Sequence, residues 1–249
     1  MTVDEMRTRA LDLRLHGLLW RWEEFKDQPW LPGFLEAEEA ERGRRSLERR
    51  LKHANIGNFK PMADFDWKWP RKIPREAVDD LLSLRFVDEG ANAVLIGPNG
   101  VGKSMICQNI AHAALLRGDT VRYTTASSML AELASQDGSI ALQRRLRSYC
   151  RPRLLIVDEV GYLSYDNRHA DLLFEVVNRR YQQRSIVIST NRIFQEWNEV
   201  FPSAACVVAL VDRLVHHAEI VPIEGDSYRA KEAAEKASKR ATMRRKPRA

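Results

Sequence analysis

Along the chain, short runs of consecutive apolar residues alternate with stretches in which apolar positions recur every three or four residues. Ala93-Val94-Leu95-Ile96, Leu154-Leu155-Ile156-Val157 and Ser185-Ile186-Val187-Ile188-Ser189-Thr190 are the runs, and a strand buried on both faces of a parallel sheet requires such continuity. With the periodic segments between them they predict helix 75–87, strand 92–96, helix 103–117, strand 120–125, helices near 127–135 and 139–149, strand 153–157, helix 168–183 and strand 185–190. Short helices around Trp197 and over Val207 to His217, then a strand from Ala218 to Ile223, complete the series. Strands alternating with helices imply the α/β class, a parallel sheet with helices on its faces and right-handed crossovers.

The pattern ahead of this region differs. Leu11, Leu15, Leu18, Trp22 and Phe25 recur at helical spacing and predict an amphipathic helix over 4–27. Gln28-Pro29-Trp30-Leu31-Pro32-Gly33 ends it. A second helix over 34–53 places Arg42, Arg45, Arg49 and Lys52 on one face and Leu47 and Leu51 on another. That basic stripe either grips phosphates or a partner, or is consumed in ion pairs with Glu36, Glu38, Glu39 and Glu41. The expected organisation is a helical domain over 1–56, an α/β domain over 57–230 and a basic tail over 231–249.

Chemistry enters at the ends of the apolar runs. Gly97-Pro98-Asn99-Gly100-Val101-Gly102-Lys103-Ser104 joins strand 92–96 to the next helix, the setting a phosphate-binding loop needs. Gly97 and Gly102 allow a tight turn with amide N–H groups facing inward at the positive end of a helix dipole. Lys103 reaches the outer phosphates and the Ser104 hydroxyl holds Mg²⁺. The run 154–157 ends in Asp158-Glu159, and two adjacent acids there need a cation. Asp158 holds the metal through water, while Glu159 polarises the attacking water. Asn191, after the run 185–190, lies where its amide orients that water or senses the outer phosphate. No Asn-Lys-x-Asp guanine-reading motif occurs, and an acid stands where a GTPase has its positioning Gln, so the nucleotide is ATP. The connector 56–70, with Phe59, Phe65, Trp67 and Trp69, packs beside the adenine or is plain core.

Charge sharpens the picture at one end. The 249 residues carry a formal net charge of +6, and residues 231 to 249, with eight Lys/Arg against two Asp/Glu, account for all of it. Such a tail suits a polyanion, or serves only solubility. Cys107, Cys150 and Cys206 are isolated, and His216-His217 is a lone pair, so packing rather than a metal or disulfide explains them. No apolar run approaches about 18 residues, and no signal segment opens the chain. It is expected to be soluble and cytoplasmic, with no membrane partner.

Several stretches together resemble a known family. Leu154 to Leu163, Leu173-Phe174, Arg180-Tyr181, Ser189-Thr190-Asn191, Trp197, Val211-Asp212-Arg213-Leu214-Val215-His216-His217 and Gly225-Asp226-Ser227-Tyr228-Arg229 are similar to the IstB-type AAA+ ATPases of IS21-family insertion sequences, themselves similar to the helicase loader DnaC. The Leu13 to Gly17 pattern resembles that family's N-terminal helical domain. The resemblance implies an ATP- and Mg²⁺-dependent helper that forms a homo-oligomer on double-stranded DNA with little sequence preference, deforms it and recruits an IstA-like transposase. It implies Lys103 and Ser104 as the phosphate-loop pair, Asp158 and Glu159 as metal-binding and catalytic acids, Asn191 as first sensor and Arg213 as a finger into the neighbouring subunit. The alternative for Arg213 is a surface salt bridge with Asp212 or Glu219. Arg229 matches a second sensor only weakly, because no sizeable lid domain follows it. DNA contacts are implied between Thr125 and Arg153, with Ser127, Ser128, Arg144, Arg145 and Arg147 as candidates. Helicase loading is the rival function; a scaffold that binds ATP without turnover is disfavoured by Glu159, and no second motor domain for a translocating helicase fits.

Overall fold

The computed structural model describes residues 1–162, 165–201 and 204–245. The chain divides into two compact units, Met1–Lys52 and His53–Ala249.

In the first unit the single helix expected over 4–27 is three: α1 (Val3–Asp12), α2 (His16–Trp20) and α3 (Trp22–Phe25). The first break has a backbone cause. Arg14 takes a left-handed φ of 51°, and the N–H groups of Leu13 and Leu15 close back on the carbonyls of Arg9 and Ala10, a helix-ending arrangement. Apolar spacing could not reveal this, because the buried set is Met6, Ala10, Leu13, Trp22, Leu31 and Leu35, while Leu11 faces solvent. Helix α4 (Leu31–Ala54) also begins earlier than expected. Pro32 falls in its first turn, where a missing N–H costs nothing. Half of its basic stripe is taken up: Arg42 pairs with Glu38 and Arg45 with Glu41, while Arg44, off the stripe, pairs with Glu41 and Glu48. Exposed to solvent, these pairs add little to stability.

The second unit holds one parallel sheet. Its elements are α5 (Arg75–Leu82), α6 (Arg85–Asp88), β1 (Asn92–Ile96), α7 (Lys103–Arg117), β2 (Val121–Thr125), α8 (Ala126–Ala134), α9 (Ser139–Cys150), β3 (Leu154–Val160), α10 (Asn167–Arg180), β4 (Ser185–Thr190), α11 (Trp197–Val200), α12 (Ala204–Val215), β5 (Ala218–Pro222) and α13 (Tyr228–Arg245). The helix expected over 75–87 is interrupted at Leu84, whose φ is 64°. The strand order is β2-β3-β4-β1-β5, every pair parallel. One face is covered by α8 to α12, which bury Met129, Leu133, Leu173, Val176, Trp197 and Leu210 against Leu155, Val157, Ile186 and Ile188. Helix α7 lies against β2, β3 and β4, with α5 beside it. Each large aliphatic side chain buried this way contributes about 1.5–3 kcal/mol. Among the described residues no helix is long and apolar enough to cross a membrane.

Two polar side chains set the strands in place. Arg180 is 1% exposed and donates to the carbonyls of Tyr149, Cys150, Pro152, Arg153 and Ser185 at 2.6–3.1 Å. Its guanidinium satisfies the C-terminal carbonyls of α9 and ties the starts of β3 and β4 together, although burial lowers its pKa. The Asn92 amide donates to Leu214 O at 3.2 Å and accepts from Ile186 N–H at 3.0 Å, joining β1 to β4 and to the end of α12. Helix α13 crosses the expected boundary at 230 and continues to Arg245; the last tail residues, 246–249, lie outside the described residues.

Candidate nucleotide site

Residues 97–104 leave β1 and turn into α7. Gly100 and Gly102 have φ of 82° and 106°, left-handed values that glycine takes without a Cβ penalty. Space imposes the same choice. A Cβ on Gly97 would stand 2.2 Å from Ile223 O, one on Gly100 2.2 Å from Ser227 Oγ, and one on Gly102 2.5 Å from Phe65 Cε2. The loop is therefore clasped by the connector before β1 and by the segment after β5. The Tyr228 N–H donates to Gly100 O at 3.0 Å, and the Trp69 indole N–H to Asp226 O at 2.8 Å.

Lys103 opens α7 and is 4% exposed. Its Nζ donates to Gly97 O at 2.6 Å and Pro98 O at 2.8 Å. Burial pushes its pKa down to about 8, against the pull of the Asp158 carboxylate. An ammonium stripped of water and held at the loop is poised for phosphate oxygens. Ser104 lines the same cavity.

The sequence placed Asp158-Glu159 at the end of a strand; the structure corrects this. β3 runs on to Val160, and its ladder with β4 shifts register between Val157 and Val160. Glu159 has a left-handed φ of 62°, so the acidic pair occupies a β-bulge. Bulges re-aim side chains beside active sites, and a non-glycine residue in this region costs on the order of 1 kcal/mol or more. Asp158 is buried at 4% exposure. Its Oδ2 accepts from the Tyr123 hydroxyl at 2.5 Å; its Oδ1 accepts from the Ser189 hydroxyl and from Glu159 N–H at 3.1 Å. Ser189 Oγ accepts from the same N–H at 3.0 Å. Burial, reinforced by the Asp158 charge, raises the Tyr123 phenol pKa and keeps it a donor. Asn191 follows β4, and its buried Oδ1 has no hydrogen-bond partner.

Lys103 and Ser104 line a cavity of about 480 Å³, with residues 100–105 on one side and Phe59, Phe65, Trp69, Gln108 and Tyr228 on the other; Asp158 and Glu159 do not line it, but their charges act on Lys103. The aromatic connector thus supplies a wall, apart from Trp67, which stacks edge-on with Phe65 at 4.8 Å and carries Arg75 over its other ring surface at 4.8 Å. Asn109 fixes that wall: its Oδ1 accepts from Met62 N–H at 2.9 Å, and its Nδ2 donates to Lys60 O at 2.9 Å and Met105 O at 2.8 Å. Arg229 and Glu232 of α13 also line the cavity. Lys231 lies over Trp69 at 4.4 Å and 3.3 Å from Asp66. Arg229 therefore sits at the cavity; the Ser227 hydroxyl at the start of α13 accepts from Ala230 N–H at 3.3 Å and helps to set that helix's start there.

Other candidate residues lie apart. Arg213 does not line its own chain's cavity. It makes none of the salt bridges offered as its alternative, stacking instead over Phe174 at 4.7 Å and donating weakly to Ala209 O at 3.4 Å. On α8, the Ser128 hydroxyl accepts from Thr125 Oγ1 at 2.8 Å, Ser127 Oγ lies 3.2 Å from it, and Thr125 caps Ser128 N–H. On α9, Arg145 pairs with Glu132 at 2.9 Å, whereas Arg144 and Arg147 are exposed. His216 meets Tyr181 OH at 2.9 Å and stacks against His217 at 4.1 Å.

The site residues fit a magnesium nucleotide. Among the described residues no three His, Cys, Asp or Glu side chains form a self-sufficient metal cage. Mg²⁺ does not need one, since it keeps several waters and takes one or two protein oxygens beside phosphate. Ser104 and Asp158 are the oxygens that fit.

Comparison with known proteins agrees with this geometry. Residues 9–236 match the family model of IstB-like ATP binding proteins. A relative named for ATP binding in insertion sequence IS21 of Pseudomonas aeruginosa is 36% identical over 191 residues, covering 77% of this chain and 72% of its own. Among solved structures, a DNA replication initiation factor superposes with TM-score 0.51 at 25% identity over 66% of this chain; the chain spans only 49% of that structure's length. DnaI superposes with TM-score 0.54 at 20% identity, covering 67% of this chain and 89% of its own. The fold is that of AAA+ P-loop ATPases, and the chain belongs to the IstB-like ATP binding proteins of IS21-family insertion sequences.

Proposed function

We propose that this protein hydrolyses ATP and uses the nucleotide cycle to control a homo-oligomer on target DNA that recruits its element's transposase. The observation that carries the reading is the pairing of a glycine loop with an acidic bulge: the loop 97–104 is clasped where Gly97, Gly100 and Gly102 leave no room for a Cβ, and Asp158-Glu159, whose charges act on Lys103, lies on a strand turned out of register.

When bound, magnesium ATP supplies the scissile phosphate bond and the charge that offsets its oxygens. The chain's residues do the rest. Loop amides and the Lys103 ammonium orient the phosphates, and Ser104 and Asp158 provide the metal's protein oxygens. Glu159 holds and polarises the attacking water, and Asn191 offers an amide whose oxygen has no competing partner among the described residues. Arg213, outside its own cavity and with no carboxylate partner among the described residues, fits a charge delivered to a neighbouring subunit, where it would act in the transition state. Arg144 and Arg147 of α9, with the basic C-terminal residues, fit sequence-independent contacts to DNA phosphates. A cytoplasmic setting follows for a partner of chromosomal DNA and transposase.

Loading a replicative helicase is the rival. The DnaI likeness carries the fold alone, whereas the relative from an insertion sequence is 36% identical across most of both chains, which supports transposition. The test is phosphate release with duplex DNA and Mg²⁺. Wild type turns over and Glu159→Gln is slower by at least about a hundredfold; absence of turnover by wild type, with the nucleotide bound, overturns the hydrolytic reading.

A further inference from the structure

The Glu159 carboxylate has no hydrogen bond or ion pair among the described residues. Nothing on the side chain therefore sets its aim. The backbone does, through a left-handed φ of 62° in the bulge between Val157 and Val160. That conformation is unfavourable for a residue with a Cβ and persists only where neighbours impose it.

One side chain of the adjacent strand meets the bulge at this point. Ser189 lies in β4, 1% exposed, and its Oγ accepts from Glu159 N–H at 3.0 Å while donating its proton to Asp158 Oδ1. A hydroxyl can serve as donor and acceptor at once; an alanine, a carboxylate or an ammonium cannot. Without it, Glu159 N–H keeps only Asp158 Oδ1, at 3.1 Å within its own neighbouring residue. Tyr123 holds the other oxygen of Asp158 from the far strand but does not touch Glu159.

We infer that Ser189 is a positioning residue for hydrolysis: its hydroxyl locks the β3 bulge and thereby aims the Glu159 carboxylate at the attacking water. The inference rests on the reading of Glu159 as the water-polarising acid. Tyr123 touches Asp158 and not Glu159, whereas Ser189 touches both.

The experiment is a double-mutant cycle on the full chain with duplex DNA, in single-turnover format. Ser189→Ala lowers the hydrolysis rate on the order of tenfold to a hundredfold, as expected for a misplaced catalytic group. In the Glu159→Gln background the same substitution costs at least about fivefold less than in wild type, because the share that runs through the Glu159 carboxylate is gone and only the share that runs through Asp158 remains. Affinity for a fluorescent ATP analogue without Mg²⁺, and the melting temperature, stay near the parent's. Tyr123→Phe behaves differently, its loss persisting in the Glu159→Gln background. If Ser189→Ala unfolds the chain, Ser189→Cys, which keeps a weaker donor and acceptor at a longer reach, takes its place with the same cycle expected. Wild-type turnover by Ser189→Ala, or an equal loss in both backgrounds, overturns the inference while leaving the hydrolytic reading intact. A wild type that binds ATP without cleaving it overturns that reading instead.

Discussion

The nucleotide cavity and the α8–α9 surface are both polar regions of one unit, and they differ in how their polar groups are held. At and around the cavity, Lys103 is bound to Gly97 and Pro98, Asp158 to Tyr123 and Ser189, and Asn109 to the connector backbone. On α9, Arg144 and Arg147 stand in solvent, while Arg145 is joined to Glu132 and the α8 serines to Thr125. Burial makes every unpaired polar atom costly, so partners in the cavity disclose what each group is for. An exposed arginine has water as its partner and discloses only charge. Chemistry is therefore read from the cavity, and DNA contact from what the surface leaves free.

The largest effect that can break this contrast is at the cavity. Lys103→Ala removes the loop's one side-chain cation and abolishes nucleotide binding, whereas Glu159→Gln retains binding and loses turnover by at least about a hundredfold. Nucleotide affinity and phosphate release, measured on both, separate the two roles; equal defects in both quantities would not. Arg213→Ala comes next. It binds ATP nearly normally yet loses about a hundredfold or more in hydrolysis, since its charge acts in the transition state. Mixing it with Lys103→Ala restores activity, provided pull-down shows co-assembly, because one subunit brings the intact pocket and the other the intact arginine.

A smaller effect follows from Lys103 being buried. Its pKa of about 8 lies below the ordinary 10.5. Between these values the unfolded chain holds the proton more than the folded one, so this group's contribution to stability rises with pH across that window. Phosphate binding needs the charged form, so affinity falls above pH 8 by up to about tenfold per unit, with proton uptake on binding. Calorimetry in two buffers of different ionisation enthalpy measures the uptake; affinity that is flat from pH 7 to about 9.5 would contradict it. Smallest is the surface. Replacing Arg144 and Arg147 by Ala weakens binding to all duplexes alike and reduces the salt slope by about two, while Arg145→Ala, already paired, changes it least.

The sheet was legible because β1, β3 and β4 are buried on both faces and read as unbroken apolar runs. The phosphate loop was legible because its glycines serve space and backbone at once. The bulge at Asp158-Glu159 was not, since a register shift leaves no mark on an apolar run that ends in two acids. Nor were Tyr123, Ser189 and Asn109: a tyrosine, a serine and an asparagine are ordinary residues in a strand or helix, and only neighbouring strands reveal their partners. Arg14 and Leu84 broke helices whose periodicity continued past them, because positive φ in a non-glycine residue is imposed by packing.

The central claim is that chemistry in the cavity governs what the exposed surface holds. The most direct measurement is the lifetime of the protein on duplex DNA after excess competitor is added in the presence of Mg²⁺ and ATP. Glu159→Gln, which keeps its nucleotide, is predicted to remain bound at least about tenfold longer than wild type, and wild type with a non-hydrolysable analogue to match it. Equal lifetimes for wild type and Glu159→Gln with ATP, at equal nucleotide occupancy, would contradict the account.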